Sequence, residues 1–232
     1  MALYAISDLH LSLSTDKPMD IFGGWDNHTQ KLQENWQSTV QAEDTVVIPG
    51  DISWAMQFDE LVADFAWLDK LPGKKLIGKG NHDYWWTTKQ KLDAFLNAHQ
   101  FQTISFMHNN SFETAQYTIC GTRGWIFPMH GALSPFDEKI FKREVVRLEQ
   151  SLKHAFAQNA KPLIVAMHYP PIVDDIASDF VQVMAQYGVQ KCVYGHLHGD
   201  AAPHAFCGER AGIHFELVSC DFLKFCPKEI VL

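Results

Sequence analysis

Seven short apolar runs recur along the 232-residue chain, at 3–7, 45–49, 75–79, 117–121, 162–167, 191–195 and 213–219, each rich in Val, Ile or aromatic residues. Runs of that length and make-up read as buried strands. Between them, apolar residues fall at helical spacing: Phe58, Leu61, Val62, Phe65 and Leu68, then Phe141, Val145, Leu148, Leu152 and Phe156. A third set is Ile176, Phe180, Met184 and Tyr187, with Gly188 placed to end that helix. Alternating strands and helices specify an α/β fold, because each helix must bury its apolar stripe on a sheet face. No repeat, low-complexity tract or long linker divides the chain, so one domain over 1–232 is expected. Residues 11–43 form a long excursion between the first two strands, with a helix expected over 27–41, and are placed to wall a site.

Composition narrows the function classes. With 47% hydrophobic and 20% charged residues, the composition is ordinary for a soluble globular protein with a proper core. A formal net charge of −8 argues against gripping long nucleic acid through the overall field. Cys120, Cys192, Cys207, Cys220 and Cys226 are odd in number and lack a Cys-x-x-Cys pair, which reads as reduced thiols in the cytoplasm. Asp8 arrives too early for a secretory signal, and no stretch approaches 18 apolar residues, so no membrane span is expected.

The polar residues that matter come directly after the strands. The first run leads into Asp8 and His10, the second into Gly50 and Asp51, and the third into Gly80, Asn81, His82 and Asp83. The run at 162–167 leads into His168, and that at 191–195 into His196 and His198. Open α/β sheets bind ligands beyond the carboxyl ends of their strands. Asp, Asn and His together suit Mn, Fe, Zn or Co. Asp8 and His10, like His196 and His198, are two apart, which in extended chain turns both to one side. Glycines at 50, 80 and 195 let the backbone turn and approach a bound group.

This set of motifs resembles the calcineurin-like metallophosphoesterase superfamily: Asp-x-His, Gly-Asp, Gly-Asn-His-Asp, a lone His, then Gly-His-x-His, spread over residues 8–198. The resemblance implies two packed mixed sheets flanked by helices in four layers, with two transition-metal ions, Mn or Fe favoured, at one edge. It assigns Asp8, His10, Asp51 and His198 to one ion, and Asp51, Asn81, His168 and His196 to the other. It makes His82 the group that works on the substrate. The implied reaction is hydrolysis of a small-molecule phosphate mono- or diester by a hydroxide bridging the ions, with cationic His82 protonating the leaving oxygen. The alternatives are a non-catalytic metal-binding scaffold of the same fold, or a nuclease acting on nucleic-acid ends.

One position departs from the family pattern. Three residues after Asp51, where the family places an Asp that orients the catalytic His, stands Trp54. Asp83 or a backbone carbonyl remains to orient His82. Arg123, after a strand and beside Trp125, either pairs with a substrate phosphate or closes a surface turn. Arg143 and Arg147 read as charges on the solvated face of their helix. Trp25, Trp54, Trp85 and Trp86 either line a pocket or pack the core. His28, His99, His108, His130, His154, His204 and His214 match no motif and read as surface or satisfied histidines. Cys220 and Cys226 read as small buried residues.

Overall fold

The computed structural model describes residues 1–129, 131–158 and 161–232; His130 lies outside them. Strands β1 (Leu3–Ala5), β2 (Thr45–Ile48), β3 (Lys74–Ile77), β4 (Ile104–Phe106) and β13 (Lys228–Glu229) form one sheet, in the order β13-β1-β2-β3-β4. They run parallel except β13. Strands β5 (Phe112–Glu113), β6 (Thr118–Thr122), β7 (Leu163–Met167), β10 (Lys191–Tyr194), β11 (Gly208–Arg210) and β12 (Ile213–Leu217) form the second, in the order β11-β12-β10-β7-β6-β5. Here the four inner strands are parallel, and both edge strands are antiparallel. The mixed two-sheet architecture that the motifs implied is the one the chain adopts.

Period-two alternation explains the layers. Leu3, Ala5, Val47 and Leu76 face inward and meet Ile119, Ile164, Ala166 and Val193 of the other sheet. Their neighbours Tyr4, Ile6, Val46, Ile48 and Ile77 face outward, into a core built with Leu32, Trp36, Leu61, Phe65, Leu92 and Phe95. Those come from α1 (His28–Thr39), α2 (Phe58–Lys70) and α3 (Lys89–His99). The outer face of the second sheet is covered by α4 (Pro135–Phe156) and α5 (Asp179–Gln186). Because both sheets carry a helical layer on one side and each other on the opposite side, their parallel strands are apolar on both faces.

Two local differences from the sequence expectation have physical causes. The third helix begins at Asp179 rather than at Ile176. Asp174 and Asp175 both have positive φ and form a two-residue hairpin turn, so Ile176 pairs with Val173 in the hairpin of β8 (Ile172–Val173) and β9 (Ile176–Ala177). Ser178 is then pinned, its N–H and hydroxyl both donating to the Pro171 carbonyl at 3.1 and 2.8 Å. Helix α3 had no expectation, since its apolar face is only Leu92, Phe95 and Leu96.

Lys75 is an unusual member of β3, fully buried on the helix-covered face. Its ammonium donates to the carbonyls of Leu71 and Gly73 and to Thr103 Oγ1, which satisfies the carboxyl end of α2. Burial pulls its pKa down to about 8, against the opposing charge of Asp69. Lys75→Met leaves those carbonyls without donors and is expected to cost about 2–3 kcal/mol, measurable as a lower midpoint in urea unfolding. A loss below a few tenths of a kcal/mol contradicts this capping role.

Candidate metal centre

All eight motif residues lie just beyond strand ends on one edge of the sandwich. Asp8 and His10 follow β1, Asp51 follows β2, Asn81 and His82 follow β3, His168 follows β7, and His196 and His198 follow β10. At this edge the two sheets are stitched together, because Ser7 donates its N–H to Val218 and receives that of Cys220. The backbone geometry corrects one expectation. Asp8, His10, Asp51 and His196 are in the left-handed region, with φ of 63°, 46°, 50° and 72°. Extended alternation therefore does not bring Asp8 and His10 together. Left-handed backbone at a non-glycine residue costs on the order of 1–3 kcal/mol and persists only where the surroundings enforce it.

The enforcement is visible. Asp83, buried, accepts the N–H groups of Gly80 at 2.7 Å, Asp51 at 2.9 Å and Ile52 at 2.9 Å. His82 donates its N–H to Asp51 Oδ1 at 2.8 Å. His196 donates its N–H to both oxygens of Asp8 at 3.1 Å. Glycine is required at 80 and 195, since a Cβ there would run into the carboxylates of Asp51 and Asp8 respectively.

With Oδ1 of Asp51 tied to the backbone, Oδ2 stands between two imidazoles, 3.8 Å from His10 Nε2 and 3.5 Å from His168 Nε2. On the His168 side, Asn81 Oδ1 lies 2.7 Å from His168 Nε2 and 2.9 Å from His196 Nδ1, and those two nitrogens are 3.2 Å apart. On the His10 side, His198 Nε2 lies 3.2 Å from Asp8 Oδ1. Donor atoms about 2.1 Å from a shared transition metal stand about 3–3.4 Å from one another. Ligand atoms of Asp8, His10 and His198 fall within 4.8 Å of each other, as do those of Asp8, Asp51 and His168. The fit to a cation is also chemical. His198 Nε2 is buried with no hydrogen-bond partner, as are the Nδ1 atoms of His10 and His168. Unpaired buried polar atoms are costly, and a cation would relieve that cost at His198 Nε2.

Electrostatics agree with a place built for positive charge. Asp8 is fully buried, which opposes ionisation, yet the close approach of His198 and the other surrounding imidazoles hold it well below the usual carboxylate range. Burial, Asp8 and Asp83 together raise Asp51 well above that range. Burial lowers His10 to about 3, and lowers His168 and His196 too, with Asp8 opposing in each case. These rings are neutral at neutral pH and offer lone pairs. His198 is the exception. Burial lowers it, but the hydrogen bond to Asp221 and the negative charge of Asp8 outweigh that and raise it to about 10.

Asp221 is the site residue that sequence reasoning missed. It follows β12, another strand ending at this edge, and accepts from His198 Nδ1 at 2.8 Å and from the Gly199 N–H at 3.0 Å. That contact fixes the ring and leaves Nε2 facing Asp8. The acidic residue after a seventh apolar run was the available signal.

His82 lies at the mouth, half buried. Asp83 does not orient it, because both Asp83 oxygens are spent on backbone N–H groups. Instead the Trp54 ring packs on His82 with centroids 4.5 Å apart and stacks on His10 at 5.1 Å. The Tyr84 hydroxyl lies 3.4 Å from His82 Nδ1. Burial lowers the His82 pKa and the nearby His198 adds to that, with Asp8 opposing.

The tryptophans divide. Trp25 and Trp54, with Met19, Phe22, His10, His82 and others, line a cavity of about 670 Å³ beside the cluster, so the 11–43 excursion contributes a wall. Trp85 is core, packed on Phe65 and Phe106. Arg123 lies over Trp125 at 4.3 Å, with Nη2 3.6 Å from Glu144, and pairs with none of the motif residues. Arg147 departs from the solvated-face expectation, since it turns to Glu144 at 2.7 Å and lines a groove with Lys79 and Arg123. His28 is buried against Trp25, and His154 contacts the Ser111 hydroxyl at 2.8 Å. Cys220 is buried behind Asp8, whereas Cys226 is only partly buried.

Two mixed sheets between helices, with carboxylates and imidazoles gathered at strand ends from both, make the architecture of a metal-dependent α/β phosphoesterase. The chain belongs to the calcineurin-like phosphoesterase family, whose model matches residues 1–200. Among solved structures it is similar to phosphopantetheinyl hydrolase (PptH) from Mycobacterium tuberculosis, with a TM-score of 0.63 and 16% identity over 99% of this chain and 95% of that one. It is also similar to TT1561 of Thermus thermophilus, with a TM-score of 0.54 and 15% identity over 84% and 81%. At these identities the likeness shows the fold. No curated protein matches the chain in sequence. No helix among the described residues is long and apolar enough to cross a membrane.

The His198–Asp221 contact generates a prediction. Asp221→Ala is expected to weaken divalent-metal binding by about 10–100-fold, read by competition with a metallochromic indicator. Unchanged affinity removes the orienting role.

Proposed function

We propose that the chain, acting as one domain over 1–232, is a dinuclear metal-dependent phosphohydrolase of small-molecule phosphate mono- or diesters. The observation that carries this reading is Asp51 Oδ2, free of the backbone and flanked by His10 on one side and His168 on the other. On this reading Asp8, His10, Asp51 and His198 hold one ion, and Asp51, Asn81, His168 and His196 hold the second. Their mixture of oxygen and imidazole donors favours Mn or Fe. When bound, two such ions supply a water acidified for attack and neutralise charge on the phosphoryl oxygens.

The protein's own groups do the rest. The 80–83 loop is locked by Asp83, so His82 stands at a fixed place over the cluster, between it and the aromatic cavity. There it hands a proton to the leaving oxygen. The cavity takes the leaving group. About 670 Å³ is within the usual range of about 300–1,000 Å³ for small-ligand pockets. Met19, Phe22, Trp25 and Trp54 favour an apolar or planar group, and His198 and Asp200 add polar lining. The neighbour named a phosphopantetheinyl hydrolase makes a phosphopantetheinyl compound one substrate to assay. Five free thiols fit a cytoplasmic location. The intact seven-residue set together with His82 favours an enzyme over a scaffold, and the net charge of −8 disfavours a nuclease.

Chelation is expected to abolish hydrolysis of 4-nitrophenyl phosphate or its bis-ester, and added Mn²⁺ to restore it. Silence on every ester at full metal loading points to the scaffold instead. His82→Ala is expected to retain both ions and lose about 10²–10⁴-fold in kcat on alkyl esters, with a much smaller loss on nitrophenyl esters. Equal losses on the two ester types would falsify the proton-donor role.

A further inference from the structure

A second charged feature lies on the same sandwich edge, between β3 and β4 of one sheet and β6 and β7 of the other. Lys79, Trp86, His108, Arg123, Glu144 and Arg147 are among the residues that line a narrow groove there, about 20 Å³ in free volume. Glu144 is 1% exposed and lies at its base. It receives Arg147 Nη1 at 2.7 Å and the Thr122 hydroxyl at 2.8 Å, with Arg123 Nη2 at 3.6 Å and Arg143 Nε at 3.7 Å. A structural ion network explains Arg147 and part of Arg123. It does not explain Lys79, whose ammonium has no carboxylate within ion-pair reach among the described residues, nor Arg123 Nε, which is buried without a partner.

Of the groove-lining residues, the three cations Lys79, Arg123 and Arg147 therefore share the one carboxylate of Glu144, in a chain that is acidic overall. Lys79 is half-buried beside Arg123 in this groove. Gathering like charges at a partly desolvated place is unfavourable unless an anion completes it. The groove adjoins the metal centre. Lys79 is two residues from Asn81, so their Cα atoms are at most about 7 Å apart. The Arg123 carbonyl accepts the N–H of His168 at 3.1 Å and of Tyr169 at 2.9 Å. A free volume this small takes one or two water-sized groups, such as phosphoryl oxygens reaching in from the open side, and no ring system.

We propose that Lys79, Arg123 and Arg147 form a second phosphoryl-binding subsite, which makes the substrate a phosphoester bearing another phosphoryl group away from the scissile one. This rests on the phosphohydrolase reading for its substrate part alone. With Nη1 of Arg147 on Glu144, its remaining guanidinium N–H groups are left for phosphoryl oxygens, and the Lys79 ammonium adds a point charge.

Two measurements test it. Inorganic phosphate titrated into chelator-treated protein, followed by calorimetry, reads the groove without metal or turnover. Arg147→Gln, or Lys79→Gln if the first variant folds poorly, is expected to weaken that binding at least fivefold. Lys153→Gln, an equal charge change at an exposed position on α4, is expected to leave it alone. Absent binding, or equal weakening in all variants, overturns the subsite. Loaded enzyme is then compared on adenosine 3′,5′-bisphosphate and adenosine 5′-monophosphate. The ratio of kcat/KM for the two is expected to favour the bisphosphate and to fall at least tenfold in Arg147→Gln. Phosphate binding with an unaltered ratio assigns the groove to free phosphate and overturns the substrate assignment. A chain inactive on every ester defeats the phosphohydrolase reading, and with it the substrate part, while the calorimetric result still decides the subsite.

Discussion

One buried carboxylate organises the edge where the chemistry sits. Asp83 gathers the N–H groups of Gly80, Asp51 and Ile52, and so ties the loop after β2 to the loop after β3. Charge-assisted bonds of this kind are among the stronger ones in a protein interior. They hold Asp51 in the left-handed region, spend its Oδ1 on the His82 N–H, and leave Oδ2 turned toward His10 and His168. The position of His82 depends on the same lock. A residue that touches no candidate ligand side chain thus sets the positions of several.

The edge is built against its own electrostatics, and the two charged regions show it in opposite senses. Around Asp8 and Asp51, buried carboxylates repel each other, and imidazoles are held neutral by burial with nitrogens left unpaired. Around Glu144, cations outnumber the carboxylate. Each region is short of the charge that the other has in excess, yet the strand ends keep them apart as neighbours. On the proposed reading, cations complete the first region and an anion completes the second.

Much of this is legible in the residues. Strand-length runs ending in Asp8, Asp51, Asn81, His168 and His196 reveal the functional edge of the sheets, because parallel strands all deliver their succeeding residues to the same side. The pairing that makes Asp51 central is not legible, since it depends on which oxygen the backbone occupies. Asp221 escapes a motif search because it belongs to no motif and acts only through His198. Ile176 reads as helical from its spacing to Phe180, and the double left-handed turn at Asp174 and Asp175 overrides that spacing. Arg147 reads as solvated because helical periodicity ranks faces by apolar content, whereas a buried Glu144 beside it reverses the reward.

The sequence by itself determined the layered α/β architecture, the set of donor residues and the family, because periodicity and short motifs are local properties of the chain. Only the tertiary structure decided that the first Asp-x-His and His196 bend through left-handed backbone, that Trp54 rather than a carboxylate packs on His82, and that Lys79, Arg123 and Arg147 share one groove. Each of those depends on contacts between segments tens of residues apart, whose geometry no local pattern encodes.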